Sequence, residues 1–90
     1  MPHIKKEIII RSPQGLHARP AALFVQTASK YSSEVTIQKG KEKVNGKSIM
    51  GILTIGAQKN CKVIVTADGD DAQEVMQELE QLLTREETDG

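Results

Sequence analysis

The amino-acid sequence predicts an α+β fold in which helices cover one face of an antiparallel β-sheet. Three observations predict it: segments with the alternation of half-buried strands, segments with the spacing of amphipathic helices, and turn residues between them. The resulting order, β-α-β-β-α-β-α, favours a two-layer domain. Because 90 residues suffice for one small domain, we expect residues 1–90 to form one domain, ordered over about residues 4–85.

The first strand and the first helix follow from local residue types. Consecutive β-branched residues at 8–10 predict a strand over residues 4–11. A Ser-Pro-Gln-Gly segment at 12–15 then ends it, since Pro removes a donor and Gly permits unusual dihedral angles. Apolar residues recur at helical spacing over residues 18–30, and Pro20 falls in the first turn, where a missing N–H is tolerated.

The middle of the chain contains a clear strand, a return strand and an ambiguous segment. Residues 34–39 alternate as a half-buried strand does. A turn at 39–41 leads to a short strand around 43–44. For residues 48–53, periodicity does not distinguish a short helix capped by Ser48 from a further strand.

The C-terminal part predicts one more strand and a helix. Residues 61–67 alternate, with Cys61 as a small buried side chain of the inward face. The last helix begins at Asp70 or Asp71, and Glu74 is placed to complete a capping box. Residues 86–90 are polar and are expected to fray. The buried stripe of the helix comprises Val75, Leu79, Leu82 and Leu83.

The composition excludes several classes of function. Twelve basic and twelve acidic residues give no net charge, and only Phe24 and Tyr31 are aromatic, which argues against a nucleic-acid partner. A single cysteine, Cys61, permits no disulfide within the chain. No apolar run approaches the length of a membrane span or a signal peptide. We therefore expect a soluble cytoplasmic protein without membrane insertion.

His17 is the residue that most strongly indicates chemistry. It lies between a Gly-Pro loop and a helix, where unpaired backbone N–H groups and the helix dipole favour an anion. Arg19 adds a charged fork suited to phosphate oxygens, and a neutral imidazole is a nucleophile near neutral pH. The alternative is an ordinary surface cap. The other histidine, His3, lies in a segment expected to be mobile, and neither has metal ligands nearby, so we expect no metal and no cofactor.

Two segments resemble the signatures of one known family. Gly15-Leu16-His17-Ala18-Arg19-Pro20-Ala21-Ala22 resembles the active-site motif of HPr, the histidine-containing phosphocarrier of the bacterial sugar phosphotransferase system. Lys47-Ser48-Ile49-Met50-Gly51-Ile52-Leu53-Thr54-Ile55-Gly56 resembles the family's second motif, around a regulatory serine. The motifs have the family's order and separation, and the resemblance extends over about residues 4–83.

The resemblance implies a carrier rather than an enzyme. Enzyme I, charged by phosphoenolpyruvate, would phosphorylate His17 at Nδ1, and the phosphoryl group would pass to IIA domains of sugar permeases. Arg19 would stabilise the phosphate. The implied fold is an open-faced β-sandwich, with four antiparallel strands and three helices on one face, and it makes the segment after Ser48 a short helix. We expect a monomer.

The resemblance also directs attention to the surface beside His17. A small, weak interface of apolar side chains suits brief docking of successive partners, and Met suits a surface with several partners. For Leu23 and Leu53, an ordinary core position is the alternative. The predicted docking residues are Ala18, Ala22, Leu23, Ile49, Met50 and Leu53.

Ser48 is implied to be a regulatory phosphorylation site, and the alternative is that it only caps a helix. In the family's Gram-positive members, a serine kinase/phosphorylase modifies this residue, and a catabolite-repression regulator reads the modified form. Phosphate would add about −1.5 to −2 charges within the docking surface and disfavour phosphorylation of His17. One departure is Gln14, where the family commonly has Ser or Asn; its longer side chain puts the equivalent phosphate contact in doubt.

Other functions remain open at this point. A carrier of the nitrogen-related branch, or one used mainly for regulation, differs little in sequence, although His17 excludes a regulatory paralogue that has lost the histidine. An acylphosphatase-like hydrolase would need a phosphate-cradling loop with an Asn, and neither Asn45 nor Asn60 lies in a convincing one. A protein-interaction module without chemistry would not need His17.

Overall fold

The sheet and its helices alternate along the chain in the predicted order. The structure, a computed structural model, describes residues 2–13 and 15–85. The predicted element types are confirmed, with the ambiguous segment after Ser48 forming a helix. The elements are β1 (His3–Ile9), α1 (Ala18–Ser29), β2 (Glu34–Lys39), β3 (Glu42–Asn45), α2 (Ile49–Ile55), β4 (Lys62–Asp68) and α3 (Ala72–Thr84).

The four strands form one antiparallel sheet in the order β1-β4-β2-β3. The last strand in sequence, β4, lies inside the sheet and pairs with β1 on one side and β2 on the other. Asp68, the last residue of β4, belongs to both pairings, since it lies opposite His3 of β1 and Glu34 of β2. The sheet is therefore complete only when β4, from the C-terminal half of the chain, lies between β1 and β2 from the N-terminal half.

One face of the sheet is buried under the helices. Alternate residues of β2 and β4 are buried, as the period-2 pattern predicts. Phe24 from α1, Ile52 from α2 and Leu79 from α3 join them in the same core. Contacts of α2 with β2 and β3, and of α3 with β1 and β4, cover both halves of the sheet. This is the helix layer expected of an open-faced sandwich.

The start of α3 differs from the predicted capping box. Asp71 is the N-cap but makes no side-chain bond to its own helix. Its carboxylate instead accepts bonds from the backbone N–H groups of Ser32, at 2.9 Å, and Ser33, at 3.0 Å, and from the Ser33 hydroxyl. These bonds, the one from the Ser33 hydroxyl foremost, lower the pKa of Asp71 to about 2. Asp71 thus joins α3 to the loop after α1.

Three further expectations were wrong in detail. His3 is not in a mobile segment, because it begins β1 and its ring Nδ1 pairs with the Asp68 carboxylate. Cys61 precedes β4 and is only half-buried, so it is not a core residue. Leu82 packs at the margin of the core rather than inside it. The predicted fraying of residues 86–90 lies outside the described residues.

Within the described part of the chain, no helix has both the length and the apolar character to cross a bilayer.

Candidate functional site

His17 is the N-cap of α1, as the sequence predicts. Its backbone is extended, with φ −96° and ψ −168°, and its carbonyl accepts a bond of 2.7 Å from the Ala21 N–H. The imidazole is exposed and makes no capping bond to the helix. The backbone of His17 therefore performs the structural task of a cap, and the ring is available for chemistry outside the helix.

The first turn of α1 is suited to an anion. It contains no acidic residue, and Pro20 contributes no N–H, so the donors that lack helical partners at this end belong to the residues just after His17. Arg19 is exposed in the same turn and brings a permanent positive charge. The helix dipole and the charge of Arg19 thus both favour negative charge at the start of α1.

The loop before His17 is held against the segment that follows α2. Gly15 has a φ of +61°, and a Cβ at this position would lie 2.6 Å from the Ala57 carbonyl oxygen and 2.8 Å from the Gln58 Cα. The next residue, Leu16, is buried, and its N–H donates to the same Ala57 oxygen at 2.7 Å. Only glycine fits this close approach without strain, which explains its place in the motif.

A second set of bonds fastens the same two segments together. Asn60 adopts a positive φ of 73°, and its N–H donates to the Ile10 carbonyl at 2.7 Å. Its side-chain oxygen accepts from Arg11 Nη1 at 3.1 Å. The N–H of Cys61 closes the turn by donating to the Gln58 carbonyl at 3.0 Å. The loops before α1 and after α2 therefore form one continuous surface.

A surface depression lies beside the imidazole where these loops meet. Pro13, His17, Gln58 and Lys59 line it. The sequence analysis did not find Gln58 or Lys59, because they follow α2 and reach His17 only through the packing of the loops. A polar Gln-Lys-Asn triplet after a short helix indicates a loop and nothing more specific.

Ser48 is the N-cap of α2 and does make the bond that its role requires. Its Oγ accepts from the Gly51 N–H at 3.2 Å, and its carbonyl accepts from the Ile52 N–H at 3.0 Å. The preceding residue, Lys47, is anchored too, because its Nζ donates to the Tyr31 carbonyl at 2.8 Å. These bonds place the start of α2 against the end of α1.

The predicted docking residues, here called the apolar patch, occupy the two packed helices α1 and α2. Ile49, Met50 and Leu53 are 38%, 71% and 41% exposed, so the core alternative for Leu53 is wrong. On α1, Ala18 is exposed, whereas Ala22 and Leu23 are half-buried. An apolar α2 surface of this kind costs free energy in water unless a partner covers it.

Metal binding was not expected, and the described residues contain no group of three or more His, Cys, Asp or Glu side chains that could hold a metal ion.

Comparison with known proteins relates this site to one family. The family model described as "PTS HPr component phosphorylation site" matches residues 4–85. The HPr-like protein Crh of Halalkalibacterium halodurans is 39% identical, over 92% of this chain and 99% of its own. The residues matched by the family model span both motifs of this chain.

Solved structures agree in both fold and sequence. The phosphocarrier protein HPr of Bacillus anthracis str. Ames superposes with a TM-score of 0.87 at 36% identity, covering 90% of this chain and 96% of that one. HPr of Thermoanaerobacter tengcongensis gives a TM-score of 0.79 at 48% identity, covering 92% and 91%. The chain therefore belongs to the HPr family of the phosphotransferase system, whose members carry phosphoryl groups rather than catalyse reactions.

Proposed function

We propose that His17 carries a phosphoryl group from phosphorylated enzyme I to the IIA domains of sugar permeases. The observation that carries this proposal is an exposed imidazole at the start of α1 that makes no capping bond. A histidine retained only as a cap would be expected to bond its own helix. Both HPr structures and the family model support the same function.

The transfer step needs only a nucleophile and a stabilised anion. A lone pair on neutral His17, assigned to Nδ1 by the family resemblance, attacks the phosphorus of the donor. The new N–P bond forms as the bond to the donor breaks, and the electron pair of the broken bond stays with the donor. Transfer to the IIA domain repeats this exchange with His17 as the leaving group. The carrier gains and loses only the phosphoryl group.

Arg19 and the start of α1 stabilise the phosphorylated form. The helix dipole contributes about 0.3–1 kcal/mol for an exposed anion in the first turn. The Arg19 guanidinium offers two parallel donors to phosphate oxygens. These contributions stay modest because the site is exposed, and a modest gain suits a carrier that must release its cargo. A deep, tightly binding site would trap the phosphoryl group.

The apolar patch would receive both the donor and the acceptor. Its large exposed side chains lie on α2, which packs against α1, the helix capped by His17. Partners that use one patch in turn cannot bind together, so the carrier acts as a relay, and we expect it to act as a monomer. Interfaces below about 1,200 Å² are typical of such brief encounters.

Labelling tests the carrier function directly. Incubation with phosphoenolpyruvate and enzyme I should place an acid-labile, base-stable phosphate on the protein, and His17→Ala should remove it. The matched control is His3→Ala, because His3 is the only other histidine and lies in β1. Unlabelled wild-type protein, or full labelling of His17→Ala, contradicts the proposal.

A second candidate function is regulation through Ser48, supported by the similarity to an HPr-like protein named Crh. Ser48 Oγ is a hydrogen-bond acceptor at a helix N-terminus, so a phosphate ester there would keep an acceptor and be favoured by the dipole. The partners would be a serine kinase/phosphorylase and a catabolite-repression regulator. The added charge would lie beside Ile49 and Met50 and repel an acidic partner from the apolar patch.

Complementation separates the two functions. Restored sugar uptake in a strain lacking its own carrier supports the sugar branch. Normal phosphorylation of His17 without uptake supports a nitrogen-related or mainly regulatory role. Incubation with a serine kinase tests regulation at Ser48, with Ser48→Ala as the negative control. Wild-type protein that the kinase does not modify contradicts this regulation.

A further inference from the structure

Lys59 is a positive group at the His17 depression that the proposed transfer has not yet used. It is exposed, and the described residues provide no hydrogen bond or ion pair for its ammonium. Three other lysines are engaged in ion pairs: Lys6 with Glu80, Lys30 with Glu78 and Lys62 with Glu7. The ammonium of Lys59 is thus available to a ligand that occupies the depression.

The backbone fixes Lys59 at this position independently of its side chain. On one side, the Ala57 carbonyl is bonded to the Leu16 N–H; on the other, the Asn60 N–H is bonded to the Ile10 carbonyl. The close approach of Gly15 to Gln58 shows that the two loops pack tightly against each other. Lys59, in the loop after α2, therefore lies across the depression from His17.

We propose that Lys59 is a further phosphate-contacting residue, whose ammonium pairs with the phosphoryl oxygens once His17 is phosphorylated. The inference rests on the proposed function of His17. Arg19 and the helix dipole approach the phosphate from α1, whereas Lys59 approaches from the loop after α2. Neutral His17 offers no negative charge to Lys59, so the contact forms only in the phosphorylated state.

The chemistry of Lys59 suits a reversible carrier. A lysine ammonium is a strongly hydrated point charge on a flexible stem, and it binds phosphate without the fixed fork of arginine. It keeps its proton throughout and forms no covalent bond, so the transfer step balances as before. Its contribution is differential: it stabilises phosphorylated His17 and leaves the unphosphorylated protein unchanged.

The test uses a His3→Ala background, in which His17 is the only histidine. Phosphoramidate phosphorylates the protein chemically, and ³¹P NMR follows the pH titration of the phosphoryl group. Lys59→Gln should raise the pKa of the phosphoryl group, because a neighbouring cation is lost. Lys59→Arg should retain the wild-type titration, and so should Lys41→Gln, which removes an exposed lysine at the turn between β2 and β3.

A second measurement links the contact to the relay. With enzyme I and phosphoenolpyruvate, the equilibrium constant for phosphoryl transfer to Lys59→Gln should fall about two- to fivefold, as for the loss of one exposed ion pair. Unchanged folding of Lys59→Gln by thermal unfolding excludes a structural cause. A Lys59→Gln protein that matches wild type in both measurements overturns the inference, whereas failure of enzyme I to phosphorylate wild type contradicts the proposed function instead.

Discussion

The N-termini of α1 and α2 have similar backbone geometry but present different side chains. His17 and Ser48 are both N-caps with extended backbone, and neither helix has an acidic residue in its first turn. Ser48 uses its side chain to cap, whereas the His17 ring makes no capping bond. Two positions further on, α1 presents the charged Arg19 and α2 presents the apolar Met50. One start therefore favours a phosphate and the other favours a partner surface.

This difference shows how a small protein assigns roles without a deep cavity. At α1 the His17 carbonyl makes the capping bond, which leaves the imidazole available for the proposed transfer. At α2 the serine hydroxyl supports the helix, so any regulatory chemistry there has to coexist with a structural bond. Substitutions at the two starts should consequently separate effects on stability from effects on transfer.

The largest expected effect is at Gly15, which holds the loop before His17. Gly15→Ala forces a Cβ within 3 Å of the backbone after α2 and keeps an unfavourable positive φ. The control, Gly40→Ala, has the similar φ of +59° but nothing within 4 Å of its Cβ. We expect Gly40→Ala to cost about 1–2 kcal/mol of unfolding free energy and Gly15→Ala about 1–3 kcal/mol more.

Urea unfolding of both variants measures this difference, and labelling by enzyme I tests its consequence at His17. Equal free energies of unfolding for the two alanine variants would show that the contact between the loops is not tight.

Loss of the cap at α2 should be smaller. Ser48→Ala removes the acceptor for the Gly51 N–H and should lower the unfolding free energy by about 1 kcal/mol. Ser48→Asp retains an acceptor, so it should recover most of this stability while adding a negative charge to the apolar patch. Denaturation reports the first effect, and the rate of His17 phosphorylation reports the second. If Ser48→Ala slows phosphorylation as much as Ser48→Asp does, charge is not the cause.

Substitution of an exposed residue in the apolar patch should weaken partner binding without changing the stability of the fold. Met50 is 71% exposed, so Met50→Gln should change the unfolding free energy by no more than about 0.5 kcal/mol. Loss of a docking contact should raise the Kd for enzyme I roughly fivefold, equivalent to about 1 kcal/mol of binding free energy. Isothermal calorimetry measures it, with Ile9→Thr as the control, because Ile9 is 44% exposed on β1. Equal weakening in both variants would exclude a specific patch on α2.

The third helix start, at Asp71, should show the smallest effect, which is recognised by how stability changes with pH in the acid range. Bonds from Ser33 and Ser32 lower the pKa of the Asp71 carboxyl from 3.8 to about 2 in the folded protein. A lowered folded-state pKa stabilises the protein above the unfolded value, and this stabilisation disappears as pH falls through about 2. Asp71→Asn should flatten this part of the stability profile between pH 4 and pH 2. Thermal unfolding across that range checks it, and an unchanged slope contradicts the bonding.

Local patterns were sufficient for most of the fold. Alternation defined β2 with its observed bounds, and the helical spacing defined α1 to within one residue at its C-terminal end. Periodicity did not identify α2 because a seven-residue segment with an internal glycine carries too little pattern, and only the family resemblance predicted a helix there. The predicted capping box at α3 was wrong because the Asp71 carboxylate accepts hydrogen bonds from Ser32 and Ser33 instead of from its own helix. A local sequence motif carries no information about partners that are distant in the chain.

The sequence by itself determined the proposed phosphoryl acceptor, the charged residue near it and the serine at the second helix start, since His17, Arg19 and Ser48 belong to short contiguous motifs. Tertiary structure alone decided which surface surrounds them. Lys59 reaches the His17 depression, and Leu53 stays outside the core, only because the loops and helices pack in one particular way. The physical reason is range: helix caps and dipoles act within a few residues, whereas packing joins residues far apart in the chain.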